Sequence, residues 1–401
     1  MLNVITSDEV LQIINSRFAK QEFQSESIAT TESLGRVLNQ DIISNEDVPG
    51  FNRSTVDGYA VYASDTFGCS ESIPAVLTLQ GEVLMGESAE QKLDKGSCII
   101  VSTGGELPEG ADTVVMVEDT EDYGNNMIGI QKPSAPGNNV IFKGDDVSAG
   151  DKVLSAGTIL TPHDIGILSA LGHSEVNVRR KPVVGIISTG DELVASPCTP
   201  KSGQVRDVNM PMLQAAVRKF GAEAKDYGLI HDDKTAIRAA VKKACESCDI
   251  VLISGGSSAG ARDMTAQIIE SDGEILFHGI AMKPGKPTIL GIIADTPVFG
   301  LPGHPVAAYF VTELFVRPLI MRLMGAECSR YTTIARIGET LSSNHGREEY
   351  IAVKLDENRI AHPIRGKSGL IASLANVDGY ICIARDYEGL AENTEVVVIY
   401  F

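Results

Sequence analysis

Two short stretches limit the fold more than anything else in the chain: residues 182–188 (PVVGIIS) and 249–254 (DIVLIS) are apolar runs without polar alternation. A strand with one wet face alternates, so an unbroken run marks a strand covered on both faces, as in a parallel sheet between helices. Helical spacing lies between them: residues 209–220, ended by Gly221, and residues 233–248 through Ile237, Ala240, Val241 and Ala244. Strand character returns at 224–230, 287–293 and 297–299, and Pro305 opens a long helix to Met324. This alternation predicts a doubly wound α/β domain over residues 179–326, with ligands beyond the carboxyl ends of its strands.

The flanking segments have another texture. Residues 1–18 read as an amphipathic helix with Ser7 as N-cap and Val10, Ile13, Ile14 and Phe18 on one side. Short alternating strands at 75–79, 97–101, 113–117 and 127–131 predict a β-rich domain over 46–137. Thr161-Pro162 caps and starts a helix that Gly172 ends, so 1–45 and 138–178 are expected to form one discontinuous helical domain around the β-rich one. After Gly325, strands at 332–337, 349–355, 359–363, 379–384 and 394–400 predict a small antiparallel barrel or sandwich over 327–401.

Composition narrows the function classes. A chain of 401 residues exceeds what one core can organise. A net charge of −19 opposes the broad basic footprint of a nucleic-acid binder, and with no Trp and 5% aromatics there is little to stack bases on. A small anionic ligand remains compatible, since a few local cations override the global field. No apolar run is long enough to cross a bilayer, and no signal peptide is recognisable. The seven scattered cysteines point to a reducing compartment, so a cytoplasmic protein without a membrane partner is expected. Cys245 and Cys248 form a lone CxxC without a second pair or a nearby His, which reads as helix-borne thiols rather than a zinc site.

The chemistry-bearing segments sit at the predicted strand ends. Residues 188–193 (STGDEL) and 254–263 (SGGSSAGARD) place small residues where a strand stops and a helix is due, and glycines there let amide groups approach an anion. Asp263 suits a metal-assisted role at a bound phosphate and equally suits a helix N-cap. Standard nucleotide motifs are absent: GGSSAG lacks the middle glycine of the dinucleotide fingerprint, and no P-loop precedes Gly366–Ser368. In 282–288 (MKPGKPT), two prolines hold Lys283 and Lys286 on a stiff turn suited to a compact oxyanion, although such lysines also occur in plain polar turns. Residues 300–305 (GLPGHP) form a second rigid turn. Asp191, Glu192, Asp232, Asp233 and Asp263 all follow buried strands, and Mg²⁺ needs only one or two such carboxylates beside phosphate oxygens and water.

Taken in order, STVDGYAV (54–61), TGGELPEGAD (103–112), GDDVSAG (144–150), STGDEL, SGGSSAGARD, MKPGKP and GLPGHP make the chain resemble the molybdopterin molybdotransferase family, which includes the gephyrin E domain and its plant counterpart. The resemblance runs essentially end to end. It implies a discontinuous helical segment, a projecting β-rich domain, an α/β molybdopterin-binding domain and a C-terminal β-barrel. It further implies a homodimer with a cleft between subunits, in which adenylated molybdopterin, Mg²⁺ and molybdate or tungstate meet and AMP is released. By the same resemblance Asp57, Thr103 and Asp146 reach the cleft from the β-rich side. Glu192, Asp232 and Asp263 are the α/β carboxylates, with Asp232 and Asp263 as metal ligands and Asp57, Asp232 and Asp263 as catalytic groups. Lys283 and Lys286 hold the oxyanion, Pro302 and Pro305 shape the adjoining turn, and Arg347 and Ser368 come from the C-terminal domain. The pathway's adenylyltransferase is a further implied partner. Four residues depart from the family pattern: Gly279 in place of a lysine, His304 of an Asn, Ala307 of a Ser and Ala352 of an Arg, which leaves the choice of oxyanion open.

Two other readings are weighed. An adenylyltransferase acting on molybdopterin would need neither the β-rich insertion nor the barrel. A gephyrin-like scaffold without catalysis would not need the strand-end carboxylates and lysines.

Overall fold

The computed structural model describes the backbone of residues 4–18, 22–255, 259–364 and 366–401, and the side chains of these except 259–263. Its centre is a six-stranded sheet in the order Glu223–Ile230, Val183–Thr189, Ile250–Gly255, Thr296–Leu301, Ile289–Ile293, Glu274–His278. The first four strands are mutually parallel, and the last two are added antiparallel, so the sheet is mixed rather than wholly parallel. The unalternating runs behave as expected. Val184, Ile186, Ile250, Leu252 and Phe299 enter one core, while Ile187, Val251, Ile253 and Val298 enter another on the opposite face.

Seven α-helices are described: α1 (Ser7–Arg17), α2 (Pro162–Ala170), α3 (Asn209–Lys219), α4 (Lys234–Cys245), α5 (Ala259–Asp272), α6 (Pro305–Val311) and α7 (Arg317–Met324). Residues of α3, α6 and α7 bury into the first core and residues of α4 and α5 into the second, which is double winding. The long helix expected from Pro305 to Met324 is interrupted by a π-helical segment, Thr312–Val316. Pro318 has no amide hydrogen for the preceding turn and its ring crowds that turn's carbonyl, so a wider turn relieves the conflict.

The amino-terminal helix departs from expectation twice. Its cap is Thr6, not Ser7: Thr6 Oγ1 accepts from the Glu9 amide (3.3 Å) while Glu9 Oε2 accepts from the Thr6 amide (2.7 Å). Nor does it join the discontinuous domain, because Val10, Ile14 and Phe18 bury in the same core as Phe220, Phe315 and Leu319. Among the described residues the discontinuous domain has one α-helix, α2. Two antiparallel ribbons complete it, Ser25–Ala29 with Glu175–Arg179 and Ile42–Ile43 with Lys152–Leu154, over a core of Leu38, Leu160, Leu168 and Val178. "Helical" therefore describes it poorly: its register comes from strand pairs.

The β-rich domain is a six-stranded sheet that includes all four expected strands. In the C-terminal region five strands close into a ring: Glu348–Leu355, Ile360–Pro363, Thr332–Ile337, Glu395–Tyr400 and Gly379–Ile383, which returns to the first. It is a barrel, although Thr332–Ile337 and Ile360–Pro363 run parallel where an all-antiparallel arrangement is expected. A sixth strand, Met282–Lys283, is contributed by the α/β domain and pairs with Glu348 and Glu349. Beside this joint Phe310 of α6 meets Tyr380 of the barrel edge to face, with centroids 5.6 Å apart.

Because Ile14 is fully buried in the α/β core, Ile14→Ala is expected to destabilise that core by about 2–5 kcal/mol. Urea unfolding followed by hydrogen exchange should show the loss in strands Val183–Thr189 and Ile250–Gly255. A loss confined to the Ser25–Ala29 ribbon would return α1 to the discontinuous domain.

Candidate functional site

The carboxyl ends of the four parallel strands form one edge, and the candidate residues are distributed along it in strand order. Strand neighbours lie about 4.8 Å apart, so the outermost and innermost of the four ends are about 14 Å apart. Two glycines allow the ends to crowd together. At Gly255 (φ +151°) an added Cβ would lie 2.1 Å from Thr189 Oγ1, and Gly190 (φ +151°) donates its amide to the Ile230 carbonyl at 3.2 Å. Gly255 is thus required by the approach of one strand end to its neighbour.

The outer end of the edge is acidic. Asp191 Oδ1 accepts the Asp232 amide at 3.1 Å and lies 3.2 Å from His231 Nδ1. Burial, and then the charges of Asp191 and Glu192, hold the Asp232 carboxyl above the usual carboxylate range. Asp232 Oδ1 is buried without a hydrogen-bond partner among the described residues. Asp233, which the sequence pairs with Asp232, caps α4 by accepting from the Ala236 amide at 2.7 Å. Asp263 is not the N-cap that its sequence position suits, because α5 already begins at Ala259; its side chain and residues 256–258 lie outside the described residues. Among the described residues no three His, Cys, Asp or Glu side chains converge closely enough to hold a metal ion.

The inner end opens into a cavity of about 740 Å³ between the α/β domain and the barrel. Lys283, Lys286, Pro302, Arg347 and Ser368 line it, so five of the expected site residues are brought together. Pro305 lies next to it, buried at the first position of α6. Lys283 differs from expectation: its Nζ is 2.6 Å from Glu349 Oε1, and Ser343 Oγ donates to Glu349 Oε2 at 2.9 Å. Its charge is therefore already matched by a carboxylate. Lys286, Arg347 and Lys367 line the same cavity and make no ion pair among the described residues, which leaves the wall with a surplus of positive charge. Glu349 and Lys367 went unnoticed in the sequence. A lone charged residue in a barrel strand or loop gives no local signal of the domain it will face.

Three of the positions read from the sequence as departures from the family pattern, His304, Ala307 and Ala352, also line this cavity. His304 Nδ1 is 2.8 Å from Ser368 Oγ, and the Val306 amide donates to the Ser368 carbonyl at 3.1 Å, fastening segment 366–370 over α6. Gly279 is not part of the lining. Its amide donates to the Thr288 carbonyl (2.8 Å), and its carbonyl accepts from the Ile5 amide (3.1 Å).

A third group stands apart. In the β-rich domain Asp57 Oδ1 accepts from the Thr103 amide (2.7 Å) and hydroxyl (3.0 Å). The Thr103 backbone donor, followed by its hydroxyl, holds the Asp57 carboxyl below the usual range. Asp146 is exposed and fixed through its own amide to the Val48 carbonyl at 3.1 Å. Among the described residues no hydrogen bond or ion pair links residues 46–137 to the α/β domain or the barrel. Asp57, Thr103 and Asp146 therefore make no direct polar contact with the described residues of the strand-end edge.

Three family models match in succession: "MoeA N-terminal region (domain I and II)" over residues 5–172, "Probable molybdopterin binding domain" over 185–322, and "MoeA C-terminal region (domain IV)" over 335–401. A molybdopterin biosynthesis protein of Methanocaldococcus jannaschii is 34% identical over 396 residues, covering 96% of this chain and 94% of that protein. A molybdopterin molybdenumtransferase of Staphylococcus epidermidis is 32% identical over 391 residues, covering 96% and 93%. A molybdopterin biosynthesis MoeA crystal structure from Pyrococcus horikoshii superposes with a TM-score of 0.89 at 36% identity, covering 100% of both chains. With the three-part match and end-to-end relatives of this identity, the chain belongs to the MoeA family of molybdopterin molybdenumtransferases.

Proposed function

We propose that this protein transfers molybdate, or tungstate, to adenylated molybdopterin with Mg²⁺-dependent release of AMP, in molybdenum cofactor biosynthesis. The observation that carries the reading is the division of one sheet edge into an acidic end at Asp191, Glu192 and Asp232 and a cation-rich cavity towards its other end. A phosphoanhydride needs its charge neutralised, and an oxyanion needs cations and a confined space; the two requirements meet along this edge. An alternative adenylyltransferase activity leaves the barrel wall of the cavity without a role, and a scaffold leaves the acidic end without one.

The residues at the acidic end fit a divalent cation. Asp232 has a buried oxygen without a partner and a carboxyl crowded by two like charges, a conflict that a cation relieves. Asp232 and Asp263 are the residues that would hold it, and bound there it would supply charge neutralisation at the phosphoanhydride. The protein's own side chains do the rest. Lys286 and Arg347, free of carboxylate partners among the described residues, hold the oxyanion, and Ser368 contributes a hydroxyl oriented by His304. Lys283, matched by Glu349, keeps the turn against the barrel and leaves Lys286 facing the cavity. Asp57 and Thr103 complete the cleft from a second subunit, which would give a role to a hydrogen-bonded carboxylate that makes no polar contact with the described edge of its own chain.

Four outcomes are expected. Asp263→Asn, a change of charge at nearly constant shape inside α5 (Ala259–Asp272), should fold normally yet lose most AMP release from adenylated molybdopterin; full turnover would leave Asp263 without a part in the reaction. Lys286→Ala should raise the molybdate or tungstate requirement ten- to a hundredfold, corresponding to the roughly 1.5–3 kcal/mol of a charge-assisted contact. Lys283→Ala should instead lower the unfolding temperature, and equal loss of pterin and oxyanion affinity in Lys286→Ala would move the lysine to the pterin phosphate. Light scattering at micromolar concentration should give about twice the 42.7 kDa chain mass. A monomer releasing AMP at full rate would remove the shared cleft.

A further inference from the structure

Buried polar groups under the sheet edge point to a residue with no role so far. Ser188 and Ser254 are opposite one another in register on adjacent parallel strands. Both are buried on the face that carries α3. Asn209, the first residue of α3 and 7% exposed, donates through Nδ2 to Ser254 Oγ at 2.8 Å and to the Gly303 carbonyl at 3.0 Å. Its amide donates to Asp207 Oδ1 at 3.0 Å, and the Met210 amide donates to the same oxygen at 3.1 Å. The Asp207 amide in turn donates to the Val194 carbonyl, and the Val205 amide donates to the Glu192 carbonyl, each at 2.9 Å. A chain of hydrogen bonds thus runs from the Glu192 arm, through Asn209, to a strand end and to the turn before His304.

This path joins the two halves of the site. Glu192 belongs to the acidic end, and the turn held by Gly303 carries Pro302 and His304 on the cavity wall. A donor amide is required at Asn209, since its Nδ2 faces a carbonyl and a hydroxyl together. A side chain that fills space but donates nothing would leave the Gly303 carbonyl and Ser254 hydroxyl to find other partners in a dry place.

We propose that Asn209 is a positioning residue that sets the separation between the carboxylate arm and the cavity turn, and so holds activated pterin and oxyanion in register for transfer. The inference rests on the reaction proposed above. Misplacement by about 1 Å is enough to slow a positioned reaction on the order of a hundredfold.

Asn209→Asp keeps the shape but replaces the donor facing the Gly303 carbonyl with an oxygen, and Ser254→Ala removes one arm while leaving the bond to Gly303. In Asn209→Asp, kcat for AMP release should fall ten- to a hundredfold while KM for adenylated molybdopterin changes less than threefold. Ser254→Ala should lie between Asn209→Asp and the wild type. Hydrogen-exchange mass spectrometry on the same full-length proteins should show faster exchange in peptides spanning 190–207 and 301–311 of Asn209→Asp, with the central strand 250–255 unchanged. A lower unfolding temperature with unchanged kcat would reduce Asn209 to a core residue and overturn the proposal, as would unchanged exchange in both peptides. If the wild type releases no AMP while the two peptides do respond, the proposed reaction fails and the clasp between the arms stands.

Discussion

The joint between the Met282–Lys283 strand and the barrel strand Glu348–Leu355 is the contact on which the site depends. The cavity lies between two domains, and neither domain alone encloses it. Main-chain pairing fixes the relative height of the two surfaces, while the Lys283–Glu349 contact at 2.6 Å and the Ser343 hydroxyl satisfy a carboxylate that is largely withdrawn from water. A buried carboxylate without these partners would carry a desolvation penalty, so the joint is selective about register. The aromatic group of Phe310, Tyr350, Tyr380 and Phe401 then packs behind it and resists rotation of the barrel about the strand. Burial raises the Tyr350 hydroxyl far above its ordinary range, and that hydroxyl donates to Glu348 at 2.8 Å, tying the start of the barrel strand into the same group.

From this joint the strand order of the α/β sheet determines what each loop can do. Parallel strands deliver all their carboxyl ends to one edge, and neighbouring ends are separated by a fixed hydrogen-bonding spacing. Acidic residues on the two outer strands and the proline turn on Thr296–Leu301 are therefore held apart by geometry, not by flexible side chains. Separation matters because cations in the cavity would otherwise pair with Asp191 and Glu192, as Lys283 pairs with Glu349. The two charge types remain available to ligands because the sheet does not let them meet.

Much of this fold was legible because its signals are local. Unalternating runs identify buried strands, and the Thr161-Pro162 cap identifies α2, without knowledge of the rest of the chain. Failures occur where the deciding partner is remote. The apolar stripe of α1 says that it packs, but not that Phe315 and Leu319, some three hundred residues later, receive it. Lys283 reads as a free cation on a stiff turn, and its neutralising carboxylate is 66 residues away in another domain. The Ser7 cap missed by one residue because Thr6 and Glu9 complete a reciprocal pair that a single hydroxyl cannot. Asn209 carries no sequence signal at all, since an Asn before a helical run reads as an ordinary cap.

The departures from the family pattern are concentrated in a way that separates reaction class from ligand preference. His304, Ala307 and Ala352 line the cavity where the oxyanion is proposed to bind, whereas the acidic end retains Glu192 and Asp232. Alanine offers no hydrogen at either position, so recognition there falls to the mobile charges of Lys286, Arg347 and Lys367 and to the His304–Ser368 pair. Long cations adapt to the size of an anion, while short fixed donors enforce one geometry. A wall built from the former discriminates by charge more than by radius. Under the proposed function, the cavity would reject neutral and singly charged species more strongly than it separates two oxyanions of equal charge. Under the same proposal the acidic end would act on the phosphoanhydride alone, whichever oxyanion waits beside it.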